Sequence, residues 1–309
     1  MAGVRHMAHR IAVNINRAAR PLLGGLAGSG RYDAIRGAFA AIALSAADFT
    51  CHALNDADAA ALMLMQYGIV VLPGLIDPAL ADAARREADQ FIGHLRQAMA
   101  GIANAGVAQG IFWQVGGARF PNYRALSAYG RPVANMTGRQ GECPNGGIID
   151  LFCADQAARD NRWRAMAACC EALAAAPVAR LIGAVSRRQP GQFHLLRNDS
   201  IADTRGLHWD NLNGFYKAFL YLGPVRRPDD GAYAYVPGTH QRLDLIRREA
   251  RLNSLAGRRE QDSFAFKGHE IPVLGEAGTV ILSCQDGIHR GMPQRQGASR
   301  TMLVCNYHA

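Results

Sequence analysis

The hydrophobic pattern divides the chain into a largely helical first half and a second half of short strands. Apolar residues recur at helical spacing over 57–67, from Pro78 to about Ala100 and over Asn161–Ile182, the last interrupted near Pro177. Between the first two helices, Ile69–Leu72 is a short β-branched run that predicts a strand. Asp77 precedes a proline in the first turn, which is a typical helix start.

After Arg187 the period changes from helical to alternating. Turn residues such as Pro190-Gly191 and Pro237-Gly238 separate several apolar runs. The predicted strands are Gln192–Leu196, Phe215–Leu222, Tyr233–Val236, Thr279–Ser283 and Thr301–Tyr307. Regular short strands after a helical half predict a β-rich α+β protein, with an antiparallel sandwich or barrel braced by N-terminal helices. We expect an N-terminal helical or irregular arm over 1–54 and one domain over 55–309.

Residues 101–150 are rich in glycine and carry scattered aromatic residues, which predicts long loops with short strands. Loops of this length in a compact protein often cover a substrate, so we interpret the stretch as a lid. Trp113, Tyr123 and Arg124 are its candidate substrate contacts. Its arginines favour an anionic or polar substrate, although the abundance of arginine throughout the chain explains them equally well.

Composition indicates a globular protein, with 49% hydrophobic and 19% charged residues, and excludes a disordered or fibrous chain. The net charge of +9 suggests nucleic acid as a partner. However, all basic residues except Lys217 and Lys267 are arginines, and they are scattered rather than clustered with aromatic residues. We therefore expect no nucleic-acid partner, and no transmembrane segment, because no apolar run approaches the ~18–20 residues that one requires.

Seven cysteines without a C-x-x-C pair indicate a reducing compartment, and we expect a cytoplasmic protein. The N-terminal segment 1–20 is basic and free of acidic residues, and glycines break its following apolar stretch, which is unlike a signal peptide. An amphipathic helix over 8–23 would permit weak peripheral association with an anionic membrane. The sequence specifies no oligomeric state.

The candidate chemistry begins at His208-Trp209-Asp210. On a strand, residues two apart point to the same face, so the imidazole and the carboxylate can bind one metal ion together. Such a pair also occurs by chance, but a buried run over 278–284 leads to a second histidine, His289. Two histidines and one carboxylate form the facial triad of non-haem Fe(II) oxygenases, which leaves three metal positions open.

Arg300 lies eleven residues after His289, at the start of the last predicted strand. A guanidinium inside a barrel requires a carboxylate partner. The co-substrate 2-oxoglutarate has a carboxylate at its far end, and its keto-acid end would chelate the iron.

These residues resemble the phytanoyl-CoA hydroxylase-like family of Fe(II)/2-oxoglutarate dioxygenases. The similarity spans roughly residues 55–308, and its elements are the run Tyr67–Gly74, the pair His208 and Asp210, the turn Asp230-Gly231, the segment Pro237–His240, and His289 with Arg300. The resemblance implies a double-stranded β-helix, a jelly-roll or cupin-like barrel formed mainly by residues 187–309. It implies Fe(II), with 2-oxoglutarate and O₂ as co-substrates.

Several positions depart from the family pattern or remain open. Gly291 stands where the family often has a serine that helps to hold the far carboxylate. His194 and Arg197 are candidates for the polar residue that precedes the H-x-D element, and a packed core histidine is an equal interpretation of His194. Phe219 is a candidate for lining the co-substrate pocket or an ordinary core aromatic.

The expected activity is hydroxylation of an unactivated C–H in a small-molecule, lipid or natural-product substrate, with an anionic or lipid-like character. The presence of Asp210 argues against the related halogenases, in which halide takes the place of the carboxylate. Two alternatives stay open at this point. One is an oxygenase acting on nucleic acid or another macromolecule, and the other is a catalytically silent module that binds metal or 2-oxoglutarate.

Overall fold

The computed structural model describes residues 29–39, 44–52, 57–101, 104–117, 119–137 and 147–308. Its helices are α1 (Ser29–Ala38), α2 (Ala57–Tyr67), α3 (Pro78–Met99), α4 (Tyr123–Ala128), α5 (Ala154–Asp160), α6 (Arg164–Ala174), α7 (Ala176–Val185) and α8 (Leu243–Leu255). The short 3₁₀ turns Ala46–Phe49 and Thr239–Gln241 complete the helical elements of this part of the chain.

The strands form a large mixed sheet and a small antiparallel one. They are β1 (Ile69–Leu72), β2 (Ala105–Ala108), β3 (Ile111–Val115), β4 (Val133–Thr137), β5 (Gly147–Phe152), β6 (Gln189–Asp199), β7 (Tyr216–Tyr221), β8 (Tyr233–Tyr235), β9 (Ile271–Val273), β10 (Val280–Cys284), β11 (His289–Gly291) and β12 (Ser299–His308). The nine-stranded sheet has the order β1-β10-β7-β12-β6-β5-β4-β3-β2, and the three-stranded sheet has the order β11-β8-β9. Only β3 and β4 are described as a parallel pair.

Local chemistry explains the clearest predictions. The Asp77 carboxylate accepts a hydrogen bond from the Ala79 amide at 2.9 Å and caps α3, as the sequence predicts. Gly68 takes a positive φ of 76° between α2 and β1, a conformation that favours glycine. The helix predicted over 161–182 is divided at Ala175, where the backbone is extended before Pro177.

The two faces of the large sheet have different neighbours. One face packs leucines of β6, β7, β10 and β12 against the helices, including Phe91 of α3. The other face, here called the inner face, packs Phe219, Ile281, Met302 and Val304 against the small sheet. Tyr233 and Tyr235 of β8 belong to the same buried cluster. The two sheets therefore enclose an interior between them.

The stretch 101–150 differs from the predicted loops. It contributes β2, β3, β4 and most of β5 to the large sheet, together with the short helix α4. Its strands are thus part of the large sheet itself. The helix α4 lies over the inner face, where Tyr123 contacts Phe152 and His194. Small and aromatic residues alternate around glycines here, so the sequence lacks the β-branched runs that indicate strands.

The segment Arg164–Val185 is the one described stretch whose length and composition would allow a membrane crossing. It consists of two helices, α6 and α7, of 11 and 10 residues. Each is shorter than the ~20 residues that span a bilayer core. Both helices bury apolar residues in the core against the sheet, among them Met166, Leu173 and Ile182. The segment is therefore a core hairpin in this fold.

The described parts of the N-terminal arm pack on the domain. Tyr32 of α1 donates a hydrogen bond to Asn253 of α8 at 2.8 Å, and Ile35 is fully buried in the same cluster. The basic segment 1–28, which carries the predicted amphipathic helix, lies outside the described residues.

Candidate active site

The predicted triad is assembled. The ligand atoms of His208, Asp210 and His289, one from each side chain, all lie within 4.8 Å of one another. The Asp210 Oδ1 atom is 3.6 Å from His208 Nε2 and 3.9 Å from His289 Nε2. His208 and His289 also exchange backbone hydrogen bonds of 2.8 and 2.9 Å, which fixes the two imidazoles side by side. The three side chains therefore converge on one point from a single side.

Hydrogen bonding selects the atoms that face this point. The Nδ1 atom of His208 lies 2.7 Å from the Gly206 carbonyl, and that of His289 lies 2.9 Å from the Gly287 carbonyl. Each carbonyl accepts a hydrogen bond from the protonated Nδ1, which leaves the Nε2 lone pair free. Burial lowers the pKa of His208 to about 2 and also lowers the pKa of His289. Both imidazoles are therefore neutral ligands at physiological pH.

Lys217 orients the carboxylate and was not among the predicted residues. Its Nζ lies 2.6 Å from Asp210 Oδ2, so Oδ1 is the oxygen that remains turned toward the histidines. Burial alone raises the pKa of Asp210, but the charge of Lys217 and its hydrogen bond to the carboxylate hold the pKa below its usual range. The sequence did contain a signal for Lys217. It lies two residues before Phe219 on β7, so both side chains project from the same face of the strand.

Arg300 lies inside the molecule with an exposed fraction of 6%. It donates from Nη1 to the Gly231 carbonyl, and Asn198, with its amide oxygen turned inward, accepts from Nη2 at 3.0 Å. Within the described residues no carboxylate pairs with it, and its Nε has no partner. Burial lowers its pKa, yet it remains a cation because guanidinium hardly deprotonates. A buried, unpaired cation favours an anionic ligand.

The triad and Arg300 lie close together along β11. On β11, His289 provides a triad ligand, and Gly291 follows two residues later on the same face, about 7 Å along the strand. A Cβ atom at Gly291 would lie 3.6 Å from both terminal nitrogens of Arg300. The interior therefore offers a metal-binding end and a cationic end at the separation of a short dicarboxylate.

The other co-substrate candidates fall on different faces. Phe219 is on the inner face and packs against Tyr233 at a ring separation of 4.6 Å. His194 is on the inner face too and is buried, with Nδ1 3.0 Å from Asp150. Arg197 is on the helix-facing side, where it pairs with Asp89 and Asp199, both at 2.7 Å.

The assignment of Arg197 to the co-substrate is therefore wrong. Residues three apart on a regular strand project to opposite faces, so His194 and Arg197 cannot both face the interior. The carboxylates of Asp89 and Asp199 already satisfy the Arg197 guanidinium. The odd spacing of His194 and Arg197 along β6 was the sequence signal that could have separated the two candidates.

The three candidate substrate contacts, Trp113, Tyr123 and Arg124, lie in different environments. Trp113 is fully buried on the helix-facing side in the main core, so the structure does not support its assignment as a substrate contact. Tyr123 is 55% exposed on α4, yet its hydroxyl lies 3.3 Å from His194 Nδ1. Desolvation of that hydroxyl and the charges of Asp150 and Asp210 raise its pKa. Arg124, the next residue, is exposed. Tyr123 is thus the one of the three that approaches the triad side.

No family model matches the chain, and no curated protein matches it. Among solved structures, AviO1 from Streptomyces viridochromogenes Tue57 superposes with a TM-score of 0.51. The match covers 84% of this chain and 97% of AviO1, at 16% sequence identity. The chain has the AviO1 fold. At this identity the likeness is one of fold alone.

Two further solved structures match with lower scores. The non-heme alpha ketoglutarate dependent epimerase SnoN from nogalamycin biosynthesis is 13% identical, with a TM-score of 0.48 over 82% of this chain and 80% of SnoN. HygX from Streptomyces hygroscopicus, solved with nickel and 2-oxoglutarate bound, is 14% identical, with a TM-score of 0.44 over 80% of this chain and 84% of HygX. The fold assignment rests on AviO1.

Proposed function

We propose that this protein is an Fe(II)- and 2-oxoglutarate-dependent dioxygenase that hydroxylates an unactivated C–H of a small molecule. One observation carries the proposal. An open His/Asp/His triad and a buried arginine without a carboxylate partner among the described residues lie about two residues of β11 apart, with His289 in the triad and Gly291 against Arg300. The two sheets around them would be the walls of a double-stranded β-helix within the domain 55–309.

The donor set fits the metal. Two neutral imidazoles and one carboxylate are the ligands of the Fe(II) facial triad, whereas a structural zinc site takes four protein ligands. Among the described residues, no fourth histidine, cysteine or acidic side chain joins the cluster of His208, Asp210 and His289. When bound, Fe(II) and 2-oxoglutarate would supply an oxidant from O₂, so that R–H, O₂ and 2-oxoglutarate become R–OH, succinate and CO₂.

The chain's own residues prepare this chemistry by position. Gly206 and Gly287 hold the tautomers of the two histidines, and Lys217 holds Asp210 so that one oxygen faces the metal. Inner-face residues such as Phe219 and Val304 line the interior with apolar surface and exclude water from it. These contacts exist in the protein itself, so the site is preorganised for a divalent ion.

Arg300 would bind the far carboxylate of 2-oxoglutarate. Its contacts to Gly231 and Asn198 fix the guanidinium plane while its remaining donors stay available. Gly291 adds no hydroxyl at this position, so Arg300 would be the principal anchor. Fe(II), 2-oxoglutarate and O₂ are thus the proposed cofactor and co-substrates.

The test is metal binding and turnover in His289→Ala. We expect this variant to lose Fe(II) or Mn(II) binding, measured by calorimetry or Mn(II) magnetic resonance, and to lose succinate formation from 2-oxoglutarate. The matched control is His94→Ala, which changes an exposed histidine of α3. Metal binding in His289→Ala equal to that of the native protein would refute the proposed site.

Product analysis separates hydroxylation from other outcomes. Incorporation of one atom of ¹⁸O₂ into the product, with the other in succinate, is expected for hydroxylation. Metal and 2-oxoglutarate binding without any succinate, with or without substrate, would instead favour a silent binding module.

A further inference from the structure

A polar cluster lies on the inner face of the large sheet outside the triad. Asp150 of β5 and His194 of β6 are bonded through Oδ1 and Nδ1 at 3.0 Å, and His194 Nε2 contacts the Gln192 side chain at 3.1 Å. The Tyr123 ring is stacked parallel to the His194 ring, with 5.9 Å between centroids. We call Asp150, His194 and Tyr123 the acidic cluster.

Strand register places His194 of the acidic cluster on the same face of the large sheet as Phe219 and Lys217. Val304 of β12 pairs with His194 on one side and with Phe219 on the other, so the three residues form a row across three strands. Two strand spacings separate His194 from Phe219 by about 10 Å. Lys217, which holds Asp210, lies two residues from Phe219 on the same face. Asp150 lies one strand further, on β5 opposite Leu196, so about 14 Å separates it from β7, and a substrate that contacts both places must span this distance.

Asp150 is incompletely satisfied. It is 9% exposed, and His194 is its side-chain partner at Oδ1, while Oδ2 has no hydrogen-bond partner among the described residues. Within this part of the structure no arginine or lysine forms an ion pair with Asp150. The open oxygen of this mostly buried carboxylate is free to accept a hydrogen bond from a donor on a bound molecule.

We propose that the acidic cluster is a substrate subsite in which Asp150 accepts a hydrogen bond from a hydroxyl or ammonium group of the substrate. The inference rests on the proposed function above and specifies its substrate as a polar, donor-rich small molecule, such as a sugar or an amino sugar. His194 is a positioning residue that fixes the Asp150 carboxylate, and Tyr123 adds one hydroxyl at the rim. A lipid-like or anionic substrate would instead leave the Asp150 oxygen without a donor.

The experiment is calorimetric binding to the full chain loaded with Mn(II) and 2-oxoglutarate. The probes are kanamycin for a cationic amino sugar, raffinose for a neutral sugar and laurate for a lipid-like anion. We expect a polar probe to bind and Asp150→Asn to weaken kanamycin about tenfold or more, since the loss of charge removes a charge-assisted hydrogen bond. For raffinose the same variant should cost only about threefold, which distinguishes a hydroxyl from an ammonium partner.

Controls separate the subsite from folding and from the metal site. Asp160→Asn changes an exposed carboxylate at the end of α5 and should leave every probe unaffected. Tyr123→Phe removes one hydroxyl at the rim while keeping the ring, should fold normally, and should weaken the bound polar probe about threefold. Binding of 2-oxoglutarate should be unchanged in Asp150→Asn, whereas failure of the native protein to bind it would refute the proposed function instead.

Three results would overturn the subsite. They are binding of laurate alone, binding of neither polar probe, and equal binding of the polar probe by Asp150→Asn and the native protein.

Discussion

Arginines on the two faces of the large sheet have opposite surroundings although they lie on neighbouring strands. Arg197 of β6 faces the helices and pairs with Asp89 and Asp199, and it also donates to Thr301 of β12. Arg300 of β12 faces the interior, where its described partners are the Gly231 carbonyl and the Asn198 amide. The first arginine is neutralised by the fold, and the second requires an anion from outside it.

This difference separates structural from ligand-binding residues. On the helix-facing side Arg197 is satisfied by carboxylates of α3 and β6. In the interior Arg300 keeps a donor without a partner among the described residues, and the triad turns three ligand atoms toward one point. A polar group that the protein leaves unsatisfied at a buried position is costly unless a ligand completes it. The following predictions test whether the two faces differ in this way.

The largest expected effect is on stability at the helix-facing side. Trp113→Ala should lower the free energy of unfolding by about 3–5 kcal/mol, because it empties a fully buried site. Gly106 lies opposite Trp113 on β2 and leaves space for the indole ring. Denaturant titration measures the change.

Tyr123→Ala is the matched aromatic substitution near the inner face. It should change stability by less than about 1 kcal/mol, since the ring is half exposed. It should impair substrate oxidation while uncoupled 2-oxoglutarate decarboxylation continues. A loss of stability as large as that of Trp113→Ala would contradict the comparison.

Next in size is the effect of Arg300→Ala on the co-substrate. Removing one partner of a buried charge pair costs about 3–5 kcal/mol, so the 2-oxoglutarate requirement should rise at least about a hundredfold. Arg197→Ala is the control and should leave that requirement unchanged while lowering stability. If Arg300→Ala needs no more 2-oxoglutarate than the native protein does, Arg300 does not bind the co-substrate.

A smaller effect is expected from Lys217→Met. The methionine keeps much of the side-chain volume but removes the ammonium that holds Asp210 Oδ2, so Mn(II) should bind about tenfold more weakly. Lys267→Met changes the other lysine of the chain and should have no effect. Equal Mn(II) affinity in both variants would show that Asp210 is held without Lys217.

The smallest effect is that of pH on metal binding. Because burial lowers the pKa of His208 to about 2, this histidine gains no proton between pH 7.5 and 6.0, and because burial also lowers the pKa of His289, protons compete less for it than for a free histidine. Mn(II) affinity should therefore change less than about threefold over this interval. If both histidines had an ordinary pKa near 6.5, the Mn(II) affinity would fall about tenfold between pH 7.5 and 6.0, because protons would compete with the metal. Calorimetry at both pH values distinguishes the cases.

The sequence alone predicted the local elements and the triad. Helix capping at Asp77, the β-branched run Ile69–Leu72 and the H-x-D spacing are short-range features, and each is found in the structure. His289 and Arg300 followed from their order along the chain and from the family resemblance. Residues close in sequence report directly on backbone conformation, so these features need no knowledge of the distant packing.

Tertiary structure decided which polar residues face the interior. Lys217 reaches Asp210, Arg197 turns to Asp89, and Trp113 enters the core because strand pairing assigns each side chain to one face of the sheet. A shift of one residue in register would exchange the two faces, and composition does not reveal it. The sequence by itself therefore determined the chemical groups, and the pairing of distant strands determined which of them face the same side of the sheet.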